Sequence, residues 1–252
     1  MLLSFSGRLE FSEPALVYEY PKNGSISQKR GIDSDGKSLS LSWKVRFKVA
    51  KDIANAITYL HTAFPRPIIH MKIQPSSIFL DKDIPKLGNF CYFLSIPKGK
   101  MYARIEEVHR EYLHEVSCAC GKVEFLDPDY YKTSIIMEHY DVYGFGIVLL
   151  ALLTGQEAFD ANRPEEREDI RSYVEDLVQK KRFNEIVDPK ILEEEGEIYE
   201  EKELQLKAFL KLALGCNKED KEERPLMIDI AKQLFKIEKS TRRTLGESVH
   251  SN

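Results

Sequence analysis

The spacing of hydrophobic and polar residues changes near Leu41 and divides the chain into a β-like start and a mainly helical continuation. Residues 9–20 (LEFSEPALVYEY) contain two apolar runs separated by a Ser-Glu-Pro step, a pattern typical of a β-hairpin or meander. Residues 21–40 are rich in Gly, Ser and Lys, which predicts a loop. After Ser42, a candidate N-cap, apolar residues recur at helical spacing up to Leu60, and a Pro-rich stretch then ends the predicted helix.

Beyond this helix the pattern predicts short β pieces and then a long stretch without clear periodicity. The β pieces are expected at residues 68–69, 78–80 and 86–87. From residue 90 to residue 129 no convincing period is visible. Because a segment of this length without regular structure is uncommon inside a compact domain, we expect it to be functional or flexible.

Helical patterns dominate the rest of the chain. Residues 141–154 are apolar almost all round and stop at Gly155, which predicts a buried central helix with a glycine end. Further helices are predicted at 167–181, 203–214 and 227–239. The acidic run 193–203 is expected to be a solvated loop, and the polar tail 240–252 is expected to be frayed.

Composition narrows the classes of protein to consider. A chain of 252 residues with 42% hydrophobic and 31% charged residues can bury a core, as one domain or two small lobes. Lys and Arg number 37 against 41 Asp and Glu, so the net charge of −4 gives no electrostatic footprint for nucleic acid. No run of 18 apolar residues predicts a membrane span, and the first residues lack the basic start of a signal peptide. These features predict a soluble intracellular domain.

The cysteines support the same expectation. Their number is too small for a disulfide framework, and the spacing of Cys118 and Cys120 does not fit a common zinc pair. We expect reduced thiols in a cytosolic protein. The four cysteines are Cys91, Cys118, Cys120 and Cys216.

Six stretches, in the right order, resemble the C-lobe of a protein kinase, in particular of the plant receptor-like kinases, over about residues 16–238. They are LVYEYPKNGSI (strand and hinge), YLHTAFPRPIIHMKIQPSSIFLD (helix and catalytic loop, normally H-R-D-x-K-x-x-N), PKLGNF (strand before D-F-G), GKVEFLDPDY (A-P-E end of the activation segment), DVYGFGIVLLALLTG (central helix) and EERP. Any single match is weak, but the set is specific.

The resemblance implies an α+β, protein-kinase-like fold, mainly the helical C-lobe with only a β-strand remnant of the N-lobe. Residues 1–20 would be the N-lobe remnant and hinge, 21–239 the C-lobe, and 240–252 a flexible tail. Within the C-lobe, the catalytic-loop region is expected at 68–81 and the activation-segment region at 89–129.

The resemblance assigns structural roles to four residues. His70 matches the loop histidine, and Asp141 matches the helix aspartate that ties this loop down. Arg224 matches the arginine that pairs with the A-P-E acid, which is Asp129 in this alignment. Because an unpaired buried carboxylate is costly, we expect an ion pair between Asp129 and Arg224 if both are buried.

The positions that carry kinase chemistry are changed. The catalytic base position holds Lys72, an ammonium group without a lone pair to accept a proton. The lysine that contacts phosphate is replaced by Gln74, and the asparagine that holds the second metal is replaced by Ser77. Met71 stands in the place of the loop arginine, which removes a cation that could pair with a phosphorylated activation loop.

The metal-binding D-F-G reads Asn89-Phe90-Cys91, so a neutral amide replaces the main magnesium carboxylate. Since Mg²⁺ prefers hard anionic oxygen, one amide carbonyl is a poor substitute. Loss of both base and metal roles predicts a catalytically inactive pseudokinase, with no cofactor and no metal. Only about 17 residues precede Tyr18, too few for three strands and a helix at the usual lengths of ~5–6 and ~11–12 residues. We expect either a C-lobe with a β stub or a truncated version of a longer protein.

The stretches LSWKVRFKVAKDIANAITYLHTAFPRPIIH, SIFLDKD and IVDPKILEEEGEI resemble the plant ZRK-type pseudokinases, a branch related to wall-associated kinases. The resemblance implies an adaptor in plant innate immunity that binds an NLR immune receptor and receptor-like cytoplasmic kinases or effector targets. It implies a cytoplasmic protein, with a plasma-membrane location through partners as a further option. Two alternatives stay open: a weakly active or nucleotide-binding serine/threonine kinase, and a truncated non-functional kinase fragment.

The activation-segment region is the candidate partner surface, because residues 97–124 combine cations with aromatic residues suited to an acidic or modified partner. An unused loop is the alternative interpretation of the same residues. The candidate contact residues are Lys98, Lys100, Tyr102, Arg104 and Tyr112.

Overall fold

The computed structural model describes residues 24–26, 41–81, 84–90, 92–104, 125–193 and 199–247, without the side chains of 199 and 241–247. Helices make up most of this part of the chain, and short antiparallel strand pairs connect them. The α-helices are α1 (Trp43–Thr62), α2 (Pro128–Thr133), α3 (Glu138–Thr154), α4 (Ile170–Gln179), α5 (Phe183–Ile186), α6 (Pro189–Leu192), α7 (Tyr199–Cys216) and α8 (Met227–Glu247). The strands are β1 (Ile68–Ile69), β2 (Ile78–Asp81), β3 (Ile84–Leu87), β4 (Leu94–Ser95), β5 (Ala103–Arg104) and β6 (Ile135–Ile136).

The centre of the molecule is α3, which is buried along nearly its whole length. This follows from its sequence, because apolar residues occur on every side of the helix rather than on one stripe. Gly155 ends the helix in the left-handed conformation, with φ of +64°, and donates its N–H to the carbonyl of Ala151. The predicted central helix and its glycine end are therefore confirmed.

Helix α1 covers the central helix with an amphipathic face. Its buried side includes Trp43, Phe47, Ile53 and Ile57, at the spacing that the sequence predicted. Helices α7 and α8 complete the same core with Phe209, among others. The loop after α1 contains the prolines expected to end it.

Within the described residues, three two-stranded antiparallel sheets position the loops that resemble a catalytic site. Strand β1 pairs with β4, β2 pairs with β3, and β5 pairs with β6. The β2–β3 hairpin places Ile78 opposite Leu87, so the chain before β2 and the chain after β3 leave the hairpin side by side. Residues 24–26 add to β2, where Ile26 N–H donates to the carbonyl of Ile78 at 2.8 Å.

A buried ion pair joins α1 to the start of α6. The Arg46 guanidinium bonds the Asp188 carboxylate at 2.6 Å and also donates to the carbonyls of Leu41 and Leu152. Gly155 lies against this pair, since a Cβ atom there would come within 2.2 Å of Asp188 Oδ2. The glycine is thus required both by its positive φ and by the space it leaves.

Some boundaries differ from the sequence predictions. Helix α7 begins at Tyr199, inside the acidic run expected to be a loop, because Glu200 and Glu201 stabilise the positive end of its dipole. Helix α8 continues to Glu247, into the segment expected to be frayed. Several predicted features lie outside the described residues. They are the N-lobe remnant at 1–20, Cys91, and residues 105–124 of the activation-segment region, which include Cys118 and Cys120. No helix in the described ranges combines the length and hydropathy that crossing a membrane requires.

Candidate functional site

The loop that follows β1, beginning at His70, is hydrogen-bonded to the buried carboxylate of Asp141 on α3. Asp141 Oδ2 accepts the backbone N–H of His70 at 2.7 Å, and Oδ1 accepts that of Met71 at 2.9 Å. The ring of His61 on α1 lies 3.0 Å from Oδ2. These contacts hold Met71 in the left-handed conformation, with φ of +62°, which a residue with a long side chain rarely adopts. The loop geometry therefore depends on Asp141.

The imidazole of His70 joins this loop to the chain that follows β3. Its Nε2–H donates to the carbonyl of Gly88 at 2.8 Å, and its Nδ1 accepts the backbone N–H of Lys72 at 3.2 Å. The ring also packs edge-on against Phe90, with centroids 4.6 Å apart. Burial lowers the pKa of His70, so the neutral ring is favoured. A neutral ring is what these contacts require, since one nitrogen donates and the other accepts.

Lys72, which the resemblance assigns to the position of a catalytic base, lies beside an aromatic ring. Its ammonium nitrogen lies 4.8 Å from the ring centroid of Tyr92. An ammonium group has three donors and no lone pair, so it cannot take a proton from a substrate hydroxyl. The geometry gives Lys72 a structural contact in place of the chemistry expected of a base.

Asn89, which the resemblance assigns to the main metal position, donates hydrogen bonds into the same loop. Its Nδ2 lies 3.0 Å from the carbonyl oxygen of Ser76 and 3.4 Å from Ser77 Oγ. Its backbone has φ of +60°, a conformation that asparagine tolerates better than most residues. Gln74 is also engaged within the loop, donating to Ser76 Oγ at 2.8 Å.

These side chains do not fit a magnesium ion. Mg²⁺ is held through carboxylates, and the amide of Asn89 turns N–H groups, not oxygen, toward Ser76 and Ser77. Among the described residues, no three His, Cys, Asp or Glu side chains come together as a metal site would need. Cys91, the remaining altered position, lies outside the described residues.

The predicted ion pair between Asp129 and Arg224 is wrong. Arg224 forms a bidentate pair with Asp127, at 2.6 and 2.8 Å, in a buried position. Asp129 instead bonds Lys221 at 2.8 Å in a more exposed place. The reason lies in the start of α2, where Pro128 occupies the first turn and Asp127 is the N-cap, its side chain accepting the N–H of Asp129. The Asp-Pro step at Asp127 is a sequence signal for such an N-cap, and the sequence analysis did not use it.

The described part of the candidate partner surface is a hydrogen-bonded turn followed by β5. Lys100 N–H donates to the carbonyl of Pro97 at 3.0 Å, and Gly99 has φ of +77°, as a type II turn requires. Ala103 is buried where it pairs with Ile136. The exposed residues are Lys98, Lys100, Met101, Tyr102 and Arg104. Tyr112 lies outside the described residues.

Sequence reasoning predicted that the catalytic positions are changed, but it did not predict the contacts that these residues make in the structure. The Lys72–Tyr92 and Asn89–Ser76 contacts join residues that are brought together only by the β2–β3 hairpin. Met101, with 87% of its surface exposed, was also missed, although its place beside a Gly turn was a usable signal.

Comparison with known proteins agrees with this geometry. The family model described as "Protein kinase domain" matches residues 9–251. The chain is 39% identical over 237 residues to "Serine/threonine-protein kinase ZRK1" of Arabidopsis thaliana, covering 94% of this chain and 64% of that protein. It is 38% identical to "Non-functional pseudokinase ZRK2" (94% and 62% covered) and 39% identical to "Non-functional pseudokinase ZED1" (92% and 66% covered), both from Arabidopsis thaliana. The chain therefore spans 62% to 66% of the length of these relatives.

A solved structure shares the fold. The pseudokinase domain of BIR2, described as an immune regulator of the RLK/Pelle family, superposes with a TM-score of 0.65 and 24% sequence identity. The match covers 89% of this chain and 60% of that chain. The kinase-like α+β fold expected from the sequence is confirmed by this likeness and by the family model.

Proposed function

The chain belongs to the protein kinase family, and from this premise we propose that it acts as a catalytically inactive adaptor in plant innate immunity. In this role it binds an NLR immune receptor and receptor-like cytoplasmic kinases or effector targets. It works in the cytoplasm and reaches the plasma membrane through these partners. Relatives named non-functional pseudokinases support the inactive part of this proposal.

One observation carries the proposal: the scaffold of a kinase loop is kept while its reacting groups are exchanged for groups that make internal contacts. Asp141 and His70 still tie the loop to α3 and to Gly88. Lys72 and Asn89, in contrast, can neither accept a proton nor offer an anionic metal ligand. A fold that is retained without its chemistry is suited to binding.

The turn and strand at residues 97–104 support a particular kind of partner. The segment carries Lys98, Lys100 and Arg104 and no acidic residue, so its field attracts an anionic surface. Met101 and Tyr102 provide apolar contact area beside these cations. An acidic or phosphate-bearing segment of a partner kinase fits this combination.

Co-precipitation from plant cells tests the proposal. The tagged chain is expressed with an NLR receptor and a receptor-like cytoplasmic kinase, and both are expected in the precipitate. The triple variant K98E, K100E and R104E should reduce recovery of the kinase, because it reverses the charge of the proposed surface. The matched control reverses three exposed lysines of α8 (K232E, K236E and K239E) and should leave recovery unchanged. No association with either partner, or equal loss in both triple variants, would refute the proposed surface.

A second candidate function is a kinase with weak nucleotide use, since one relative is named a serine/threonine-protein kinase. Thermal unfolding with ATP, with and without Mg²⁺, separates the two. Nucleotide at 100 times its Kd would stabilise the chain by about 2.7 kcal/mol. The adaptor proposal expects no transfer of labelled phosphate from ATP, and transfer that disappears in a Lys72 variant would favour the kinase.

A further inference from the structure

We propose that Lys72 and Asn89 are positioning residues that hold the segment 92–104 against the loop 70–77 in one conformation, without metal, nucleotide or phosphate. The inference rests on the proposed function, because this segment carries the proposed partner surface. In this arrangement the substituted catalytic positions have a role of their own: they replace the ligands that would otherwise order the segment.

The contact of Lys72 depends on its positive charge. Its ammonium lies 4.8 Å from the centroid of the Tyr92 ring, within the range of a cation–π interaction. Tyr92 also packs against the cluster that contains Ile69, Met71 and Leu94. The interaction therefore joins the loop to a side chain that is anchored in the second core. A carboxylate at residue 72 would face the negative side of the ring and could not replace it.

The contact of Asn89 depends on its N–H groups. Nδ2 donates to the carbonyl of Ser76 at 3.0 Å and lies 3.4 Å from Ser77 Oγ. An aspartate has no donor when ionised, and its oxygens would stand against the Ser76 carbonyl oxygen. Lys72 and Asn89 thus each make a contact that the aspartate expected at the same position in an active kinase could not make.

The two contacts lie on a continuous path to the partner surface. Between them, His70 bonds the Gly88 carbonyl and packs on Phe90. After Tyr92, strand β4 pairs with β1, and Ile96 N–H donates to the Pro67 carbonyl at 2.9 Å. The turn that starts at Pro97 follows directly. Opening at Lys72 or Asn89 would thus loosen the strand that leads to Lys98 and Arg104.

Hydrogen exchange measured by mass spectrometry on the full chain tests this inference. In K72M the amides of residues 92–104 should exchange about fivefold faster than in the wild type, a change expected from loss of one cation–π contact. The exchange rates of the α3 amides serve as the internal reference. The ratio of the two rates removes the effect of a general loss of stability. K72R keeps the cation and should restore slow exchange. K72M exchanging like the wild type, or K72R exchanging like K72M, would overturn the role of Lys72.

A second pair of measurements tests Asn89 and the independence from ligands. N89D should speed exchange in 92–104 relative to α3, whereas an unchanged ratio would overturn its role. ATP with Mg²⁺ should leave exchange of this segment in the wild type unchanged, and slower exchange on addition would contradict ordering without ligand. These results do not depend on partner binding, so failure of the positioning role and failure of the adaptor proposal are seen separately.

Discussion

At the residue scale, the buried carboxylate of Asp141 organises the loop that resembles a catalytic loop. It is fully buried and accepts the backbone N–H groups of His70 and Met71, with the ring of His61 beside it. The sequence predicted the link between Asp141 and the loop through the family motif. It did not predict His61, because this residue comes from α1 and meets Asp141 only when the two helices pack.

Replacing Asp141 with asparagine tests this organisation. The side-chain amide would direct an N–H donor at the backbone N–H groups of His70 and Met71, and the negative charge that now stabilises these hydrogen bonds would be lost. The free energy of unfolding should fall by roughly 3 kcal/mol, the range for breaking a buried charged network. Urea unfolding followed by circular dichroism measures it.

Asp52→Asn is the matched control for this substitution, because Asp52 pairs with Lys48 on the exposed side of α1. Its loss should stay below about 0.5 kcal/mol. Equal losses of unfolding free energy in the two variants would show that the hydrogen bonds of Asp141 do not stabilise the loop.

At the element scale, the position of a residue at a helix end determines whether its charged side chain is buried or exposed, as the two acids at the start of α2 show. Periodicity predicted α1 and α3, since their apolar residues determine which faces are buried. It did not predict which of two acids at the start of α2 turns inward. That choice follows from the N-cap position of Asp127 before Pro128, and the cap becomes visible only when the helix start is known.

The two acids at this helix start should respond differently to neutralisation. Asp127→Asn leaves the buried guanidinium of Arg224 without its bidentate partner and should lower the free energy of unfolding by about 3–5 kcal/mol. Asp129→Asn removes only a partly exposed pair with Lys221 and should cost less than about 1 kcal/mol. Chemical unfolding of both variants measures the difference, and the reverse order would restore the Asp129–Arg224 pairing.

The glycine that ends α3 offers a second test at this scale. Gly155→Ala introduces a Cβ at positive φ and within 2.2 Å of Asp188 Oδ2, so it should also disturb the Arg46–Asp188 pair. Gly99→Ala is the control, because its φ of +77° is similar but nothing lies within 4 Å of the added Cβ. The control should cost about 1–2 kcal/mol from the backbone alone. Gly155→Ala should cost clearly more in the same urea experiment, and equal costs would mean that the ion pair moves aside without strain.

At the scale of the whole molecule, the order of the elements was predictable and several contacts between them were not. The resemblance predicted a central helix followed by the final helices, and the structure has these helices in that order. The Lys72–Tyr92 contact depends on the hairpin that brings the two residues together, and the start of α7 depends on acidic residues at the end of a helix dipole. The pattern of hydrophobic and polar residues contains neither piece of information. The exchange of residue types at the positions that the resemblance assigns to kinase chemistry was visible in the sequence, because it follows from residue type alone, without geometry.

The stability of the whole molecule should decrease in mild acid because two histidines have lowered pKa values. Burial is the main cause at His70 and at His139. In the unfolded chain these rings bind protons near pH 6.5, while the folded state still excludes them. The unfolded state therefore holds more protons below pH 6.5, and the free energy of unfolding falls as the pH is lowered through this window. Each ring contributes a slope of up to about 1.4 kcal/mol per pH unit.

Urea unfolding between pH 7.5 and pH 5.5 measures this slope, in a range chosen above the ordinary titration of carboxylates near ~4. His139→Gln removes one of these two described rings while the loop contacts of His70 stay intact. The variant should therefore show a shallower pH dependence than the wild type, whatever its stability at pH 7.5. A slope as steep as that of the wild type would mean that the acid sensitivity arises elsewhere. A slope near zero in the wild type would mean that both rings accept protons in the folded state, and the neutral His70 required by its bonds to Gly88 and Lys72 would then be excluded.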